Sequence, residues 1–117
     1  MSNKLLGQIN LVQIGANYIN KGGSFTLTTG ILNIEPIDMG SIAATVNAGL
    51  EGFIKAAILE YRNFRINTVS PTVLEEALDK YGPFFVGYKP VKAEEVAQAY
   101  LKSVAGIANG QVIKVGF

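Results

Sequence analysis

An α/β fold, with a small parallel sheet flanked by helices, is the expectation for this sequence, and three observations carry it. Long stretches with apolar residues at helical spacing alternate with short β-branched segments bounded by glycine or proline. Hydrophobic residues make up 49% and charged residues 16%, a balance that suits elements buried on both faces and excludes disorder. The 117 residues allow a single domain, 1–117, with a modest core.

The elements follow in order. Leu5, Ile9, Val12, Ala16 and Ile19 recur at helical spacing, and Leu6, Leu11, Ile14 and Tyr18 fill much of the remaining surface. A helix apolar on most sides is expected to be buried on most sides, and Lys21-Gly22-Gly23 to end it with a left-handed glycine. Ser24 to Thr29 reads as a strand, and Gly30 to Gly40, with Pro36, as a loop. Ser41 opens a long helix to about Arg62, with Ile42, Val46, Leu50, Phe53, Ile54, Ala57, Ile58 and Tyr61 in one broad stripe. Beside that stripe lie Ala43, Ala44, Ala48, Gly49, Gly52 and Ala56, small residues that suit either tight internal packing or a helix-to-helix subunit contact. Phe64 to Val69 is a second strand, closed by Ser70-Pro71. Thr72 to Pro90 is irregular, with a short helix around Val73 to Lys80. A third long helix runs from Ala93 to about Ile107, and Asn109-Gly110 turns the chain into a last strand, Gln111 to Phe117. Strands alternating with helices make crossover units and a parallel sheet.

Composition removes whole classes of chemistry. With neither cysteine nor histidine, no disulfide, Cys-His or Ser-His-Asp catalysis is available, and zinc or other transition-metal sites lose their usual ligands, so no metal site is expected. The formal net charge of +1 comes with no basic stripe, so nucleic acid is not an expected partner. The N-terminus is too polar for a signal peptide, and no uninterrupted apolar stretch of membrane-spanning length is read, so the expected location is the cytoplasm, away from the membrane. Adjacent carboxylates at Glu75-Glu76 and Glu94-Glu95 point about 100° apart on a helix, so neither forms a shared acid–base dyad.

Several segments together resemble one family. Arg65-Ile66-Asn67-Thr68-Val69-Ser70-Pro71 is similar to the R-[VI]-N-x-[VI]-x-P-G strand end of short-chain dehydrogenases/reductases. Lys92 to Ala97, followed by Gly110-Gln111-Val112-Ile113-Lys114-Val115-Gly116, resembles that family's C-terminal helix and final strand. Ala48-Gly49-Leu50-Glu51-Gly52-Phe53 and Ala57-Ile58-Leu59-Glu60 match its long catalytic helix, and Phe25 to Gly30 the strand before it. The resemblance covers only the family's second half and implies a partial Rossmann-like, doubly wound fold with a three-stranded parallel sheet. The family's opening strand and Gly-rich turn, which cradle a dinucleotide pyrophosphate, have no counterpart: Gly7 and Gly22-Gly23 sit in or after a helix and do not fit the fingerprint.

The resemblance implies NAD or NADP as cofactor, or none in these 117 residues, and it implies roles for particular positions. Carbonyl reduction in that family uses a tyrosine as proton donor, a lysine one helical turn later, and a serine that orients the carbonyl. Ala43 stands at the tyrosine position and Asn47 at the lysine position. Alanine donates no proton, and asparagine offers a ribose hydroxyl a hydrogen bond without a charge to shift a pKa. The serine position falls at Thr29, or at Thr28 if the loop differs by a residue; the hydroxyl there either orients a carbonyl or bonds its own loop. Pro71, Thr72 and Val73 follow the second strand where the family approaches the nicotinamide, and Thr72 adds a side chain where a glycine is usual. Tyr81 and Tyr88 lie in what resembles the substrate-binding loop, as substitute acids or as lid packing.

The implied function is that of an NAD(P)-dependent oxidoreductase, inactive or weakly active in this form. The alternatives are a ligand-binding pseudoenzyme and a structural oligomerisation module. The first strand lacks its family neighbour, so self-association as a dimer or tetramer is expected, through the first two helices or through the open sheet edge.

Overall fold

The computed structural model of the chain describes residues 2–117. Its main elements are α1 (Ser2–Gly15), β1 (Ser24–Thr28), α2 (Ser41–Glu60), β2 (Arg65–Pro71), α3 (Leu78–Tyr81), α4 (Ala93–Ala105) and β3 (Val112–Val115). The strands pair in parallel in the order β1-β2-β3, which is the expected three-stranded sheet. The central strand is buried from Ile66 to Ser70, as a parallel strand covered on both faces must be.

Helices α1 and α2 cover one face. Val12, Val46, Leu50, Ile54 and Ala57 meet Leu27, Phe64 and Ile66 there in the larger core. Helix α4 covers the other face, where Ala99 packs with Val69, Val91 and Val115. Polar ties reinforce this second face. Thr26 and Ser103 share a hydroxyl bond of 2.6 Å, and Thr28 and Tyr100 another of 2.6 Å. Asn67 donates from Nδ2 to Ser103 Oγ and to the Ala108 carbonyl, while its Oδ1 accepts the Gln111 N–H. Arg65 donates to the carbonyls of Ser103, Val104 and Ala108, so a cation sits at the α4 C-terminus, where orphan carbonyls need donors.

The structure departs from the sequence reading in three places. Helix α1 ends at Gly15, where a Cβ would lie 2.8 Å from the Phe25 ring, and the left-handed glycine, Gly22, belongs to the turn that follows. Only its Val12 side faces the core, and Leu6, Leu11 and Ile14 are 52–63% exposed. A two-helix layer buries each helix on one side only, so apolar periodicity overstated the burial of α1. Second, β2 continues through Ser70 and Pro71, which pair with Lys114 and Val115. Proline is admitted because it stands at the strand's end. Third, no helix begins at Val73. The Val73 carbonyl accepts the Val91 N–H, Leu74 bridges Val91, and helical turns start only at Glu75.

On length and composition alone, α2 is apolar enough to cross a membrane. In the fold it packs on the sheet through Leu50 and Ile54, both fully buried.

Candidate functional site

In a parallel sheet ligands gather at the C-terminal ends of the strands, and here β1 and β2 end side by side. Thr29 follows β1 directly. Its N–H donates to the Val69 carbonyl, and its Oγ1 accepts from Thr68 Oγ1 at 3.2 Å. Side chains alternate across the pleat, so Thr29 shares with Leu27 the face beneath α2. Thr28 points to the opposite face, where Tyr100 takes its hydroxyl. Of the two candidate hydroxyls, therefore, only that of Thr29 lies on the α2 side.

Asn47 approaches the same place from α2 and is 3% exposed. A Cβ on Gly30 would stand 3.4 Å from Asn47 Nδ2 and 3.6 Å from the Pro71 carbonyl, so Gly30 marks where the strand ends and α2 converge. Thr29, Asn47 and Pro71 are thus neighbours. Ala43, four residues before Asn47 and on the same side of α2, is exposed and presents only a methyl group.

Thr72 and Val73 follow Pro71 directly. The Thr72 N–H donates to the Val115 carbonyl, and its methyl crowds Gly116, where a Cβ would come within 2.6 Å of Thr72 Cγ2. Both residues are buried towards β3 and Val91, with the Thr72 amide and the Val73 carbonyl already engaged.

Sequence reasoning missed Asn33, Glu51 and Ser70. Glu51 lies one turn beyond Asn47 on α2 and is 8% exposed. Its Oε1 accepts from Asn33 Nδ2 at 3.0 Å. The Oε2 of Glu51, the Oδ1 atoms of Asn33 and Asn47, Ser70 Oγ and Thr72 Oγ1 are buried without a hydrogen-bond partner among the described residues. Leaving one such group unsatisfied costs about 1–3 kcal/mol, so each needs a partner beyond these protein atoms, an ordered water or another group. The signal for Glu51 was present in the sequence as a carboxylate at i+4 from Asn47 and next to the buried Leu50.

The loops beyond this point frame a shallow cavity of about 210 Å³, lined by Ile37, Asp38, Met39, Tyr81, Phe84 and Phe85. Tyr88 ties the two loops by donating to the carbonyls of Glu35 and Pro36. That hydroxyl is spent on structure, whereas Tyr81 lines the cavity. No group of three or more carboxylate, cysteine or histidine side chains able to hold a metal occurs among the described residues.

No family model and no curated sequence matches the chain. Solved structures do. The chain is 52% identical to the protein lin1944 from Listeria innocua, with a TM-score of 0.93 over 96% of this chain and 56% of that one. It is 32% identical to a small-chain dehydrogenase, with a TM-score of 0.78 over 96% of this chain and 52% of that one. A small-chain dehydrogenase in complex with NADPH matches at 28% identity and a TM-score of 0.83, over 96% of this chain and 57% of that one. The chain thus spans little more than half the length of each of these structures.

Proposed function

The chain belongs to the short-chain dehydrogenase/reductase family, and from that premise we propose that its α2 side forms part of a nicotinamide-nucleotide site that binds with little or no turnover. The observation that supports this reading is on α2, where Asn47 is buried beside Gly30 with its Oδ1 unpartnered, and where the resemblance implies Ala43 and Asn47 for the family's proton donor and lysine. General acid catalysis contributes about 10²–10⁴-fold, and a methyl group supplies none of it.

The α2 side fits a nucleotide sugar by hydrogen bonding alone. Asn47 carries a buried, unpartnered Oδ1, an acceptor that a ribose hydroxyl satisfies once the side chain turns toward it. Thr29 Oγ1 accepts from Thr68, which leaves its own proton free to donate to a carbonyl oxygen. Pro71 closes the same corner. The Thr72 amide and the Val73 carbonyl are engaged with Val115 and Val91, which leaves Thr72 Oγ1 as the unpartnered polar atom of this pair. A bound nicotinamide nucleotide would supply the hydride, and these residues position and bind without supplying the proton.

The test is a calorimetric titration of the 117-residue chain with NADH and NADPH, followed by an aldehyde-reduction screen. Saturable binding that Asn47→Ala abolishes, with no turnover above background, is the expected result. No heat at millimolar nucleotide sinks the reading. A second reading, an oligomerisation module, is supported by the exposed Leu6, Leu11 and Ile14 of α1 and Ile42 and Leu59 of α2. It predicts a stable oligomer, dimer or tetramer, that binds no nucleotide.

A further inference from the structure

Of the asparagines in the chain, only Asn109 is followed by glycine. That order makes it the most reactive of them, because a glycine nitrogen has no side chain beside it to keep it from the preceding side-chain amide carbon. The fold nevertheless calls for both residues. Gly110 adopts φ +67, and a Cβ there would lie 2.6 Å from Ile58 Cδ1, so a side chain would be strained by its backbone and crowded by α2. Asn109 Oδ1 accepts the Ile66 N–H at 3.0 Å, ahead of the first β2–β3 pair, Thr68 with Val112.

One residue thus holds both reacting groups of the pair. The Gly110 N–H donates to the Ile66 carbonyl at 2.7 Å, while the Ile66 N–H donates to Asn109 Oδ1. Asn67 frames the turn on either side: its Nδ2 donates to the Ala108 carbonyl at 2.8 Å, and its Oδ1 accepts the Gln111 N–H at 3.1 Å.

We propose that Asn109-Gly110 is a covalent modification site of this chain, converting to aspartate and isoaspartate through a succinimide, and that its bonds to Ile66 hold it unreactive until the turn opens. In the first step the Gly110 nitrogen gives its proton to a solvent base, and the freed electron pair forms a bond to Asn109 Cγ. The Cγ–Nδ2 bond breaks, and Nδ2 takes a proton from solvent and leaves as ammonia. Water then adds to either carbonyl of the ring and breaks its bond to the Gly110 nitrogen, leaving a carboxylate at residue 109. One water is consumed and one ammonia released, with no oxidant or reductant. The attacking electron pair lies along the former N–H bond, which here points at the Ile66 oxygen. A proton held in such a bond is released only when the bond opens, as in amide exchange. Either product adds a negative charge, and isoaspartate also adds a backbone carbon just before β3, so the reaction loosens the β2–β3 junction.

The test is incubation of the full 117-residue chain, folded in buffer and unfolded in guanidinium chloride, with peptide mapping by mass spectrometry that separates aspartate from isoaspartate. Isoaspartate at position 109 should accumulate in the unfolded chain and form about tenfold more slowly, or less, in the folded one. Asn67→Ala, which removes the frame on both sides of the pair, should raise the folded-chain rate several-fold. The comparison within the parent chain needs no variant and decides the matter if Asn67→Ala does not fold. Equal rates in the folded and unfolded parent overturn the gate. A faster rate in the folded chain overturns it too, and gives the Ile66 N–H the opposite role of stabilising the oxyanion on Oδ1. An unfolded chain that forms no isoaspartate at 109 overturns the site itself. A folded Asn67→Ala chain with the parent's rate overturns turn opening as the trigger.

Discussion

The two faces of the sheet are held by different physics. On the α1–α2 face, Leu27, Leu50, Ile54 and Ile66 pack by apolar contact, and the side-chain ties from helix to sheet among the described residues are those of Gln8 to the Thr28 peptide groups. On the α4 face the apolar cluster is small, and hydrogen bonds from Thr26, Thr28, Arg65 and Asn67 set the helix in place. Apolar burial is strong but has no direction, so it tolerates a helix that shifts slightly. Hydrogen bonds are weaker each, but they fix register and orientation. The candidate site lies at the end of the face held mainly by apolar contact.

That contrast is sharpest at the core positions. Leu50→Ala should lower unfolding stability by about 3–4 kcal/mol, because Leu50 is fully buried and its neighbours refill the cavity only in part. Urea titrations with an unchanged m-value would establish it, and a loss under about 1 kcal/mol would mean this face is not close-packed. On the opposite face, Asn67→Ala removes a side chain that makes three hydrogen bonds to Ser103, Ala108 and Gln111. It should cost about 2–3 kcal/mol, with α4 and β3 losing amide protection before the α1–α2 layer does.

A smaller effect tests direction. Tyr100→Phe and Thr28→Val each delete one half of a single hydroxyl pair, at about 1 kcal/mol apiece. The double variant should cost clearly less than the two together, since the second change leaves no further partner unpaired. Full additivity would show that the hydroxyls do not depend on each other. The smallest effect belongs to the outer surface. Leu11→Ser, at a 56% exposed position of α1, should move stability of the dilute chain by no more than about 0.5 kcal/mol. Sedimentation should nevertheless show weaker self-association. A large loss of stability there would place Leu11 in the core instead.

The order of helices and strands was legible because each follows from local chemistry. Helical periodicity marks α2 and α4, and the β-branched runs at Ser24–Thr28 and Arg65–Pro71 mark strands. The burial of α1 was not, because Leu11 and Ile14 are as apolar as Val12 and only the neighbouring layer decides which side is covered. The choice between Thr28 and Thr29 was open for a similar reason. Either hydroxyl has the right chemistry, and the pleat alone determines that Thr28 meets Tyr100 and Thr29 meets Thr68. Thr72 and Val73 have the expected position in the chain, and only the fold shows that their backbone pairs with Val115 and Val91.

By itself the sequence determined the class of fold, and that Ala43 carries a methyl group and Asn47 an uncharged amide, since these depend on residue identity along the chain. Tertiary structure alone decided which polar atoms are buried without partners, and that Gln8 bonds the peptide groups of Thr28, 20 residues away in sequence. Both depend on distances between residues far apart in sequence, and packing sets those distances while local propensity leaves them open.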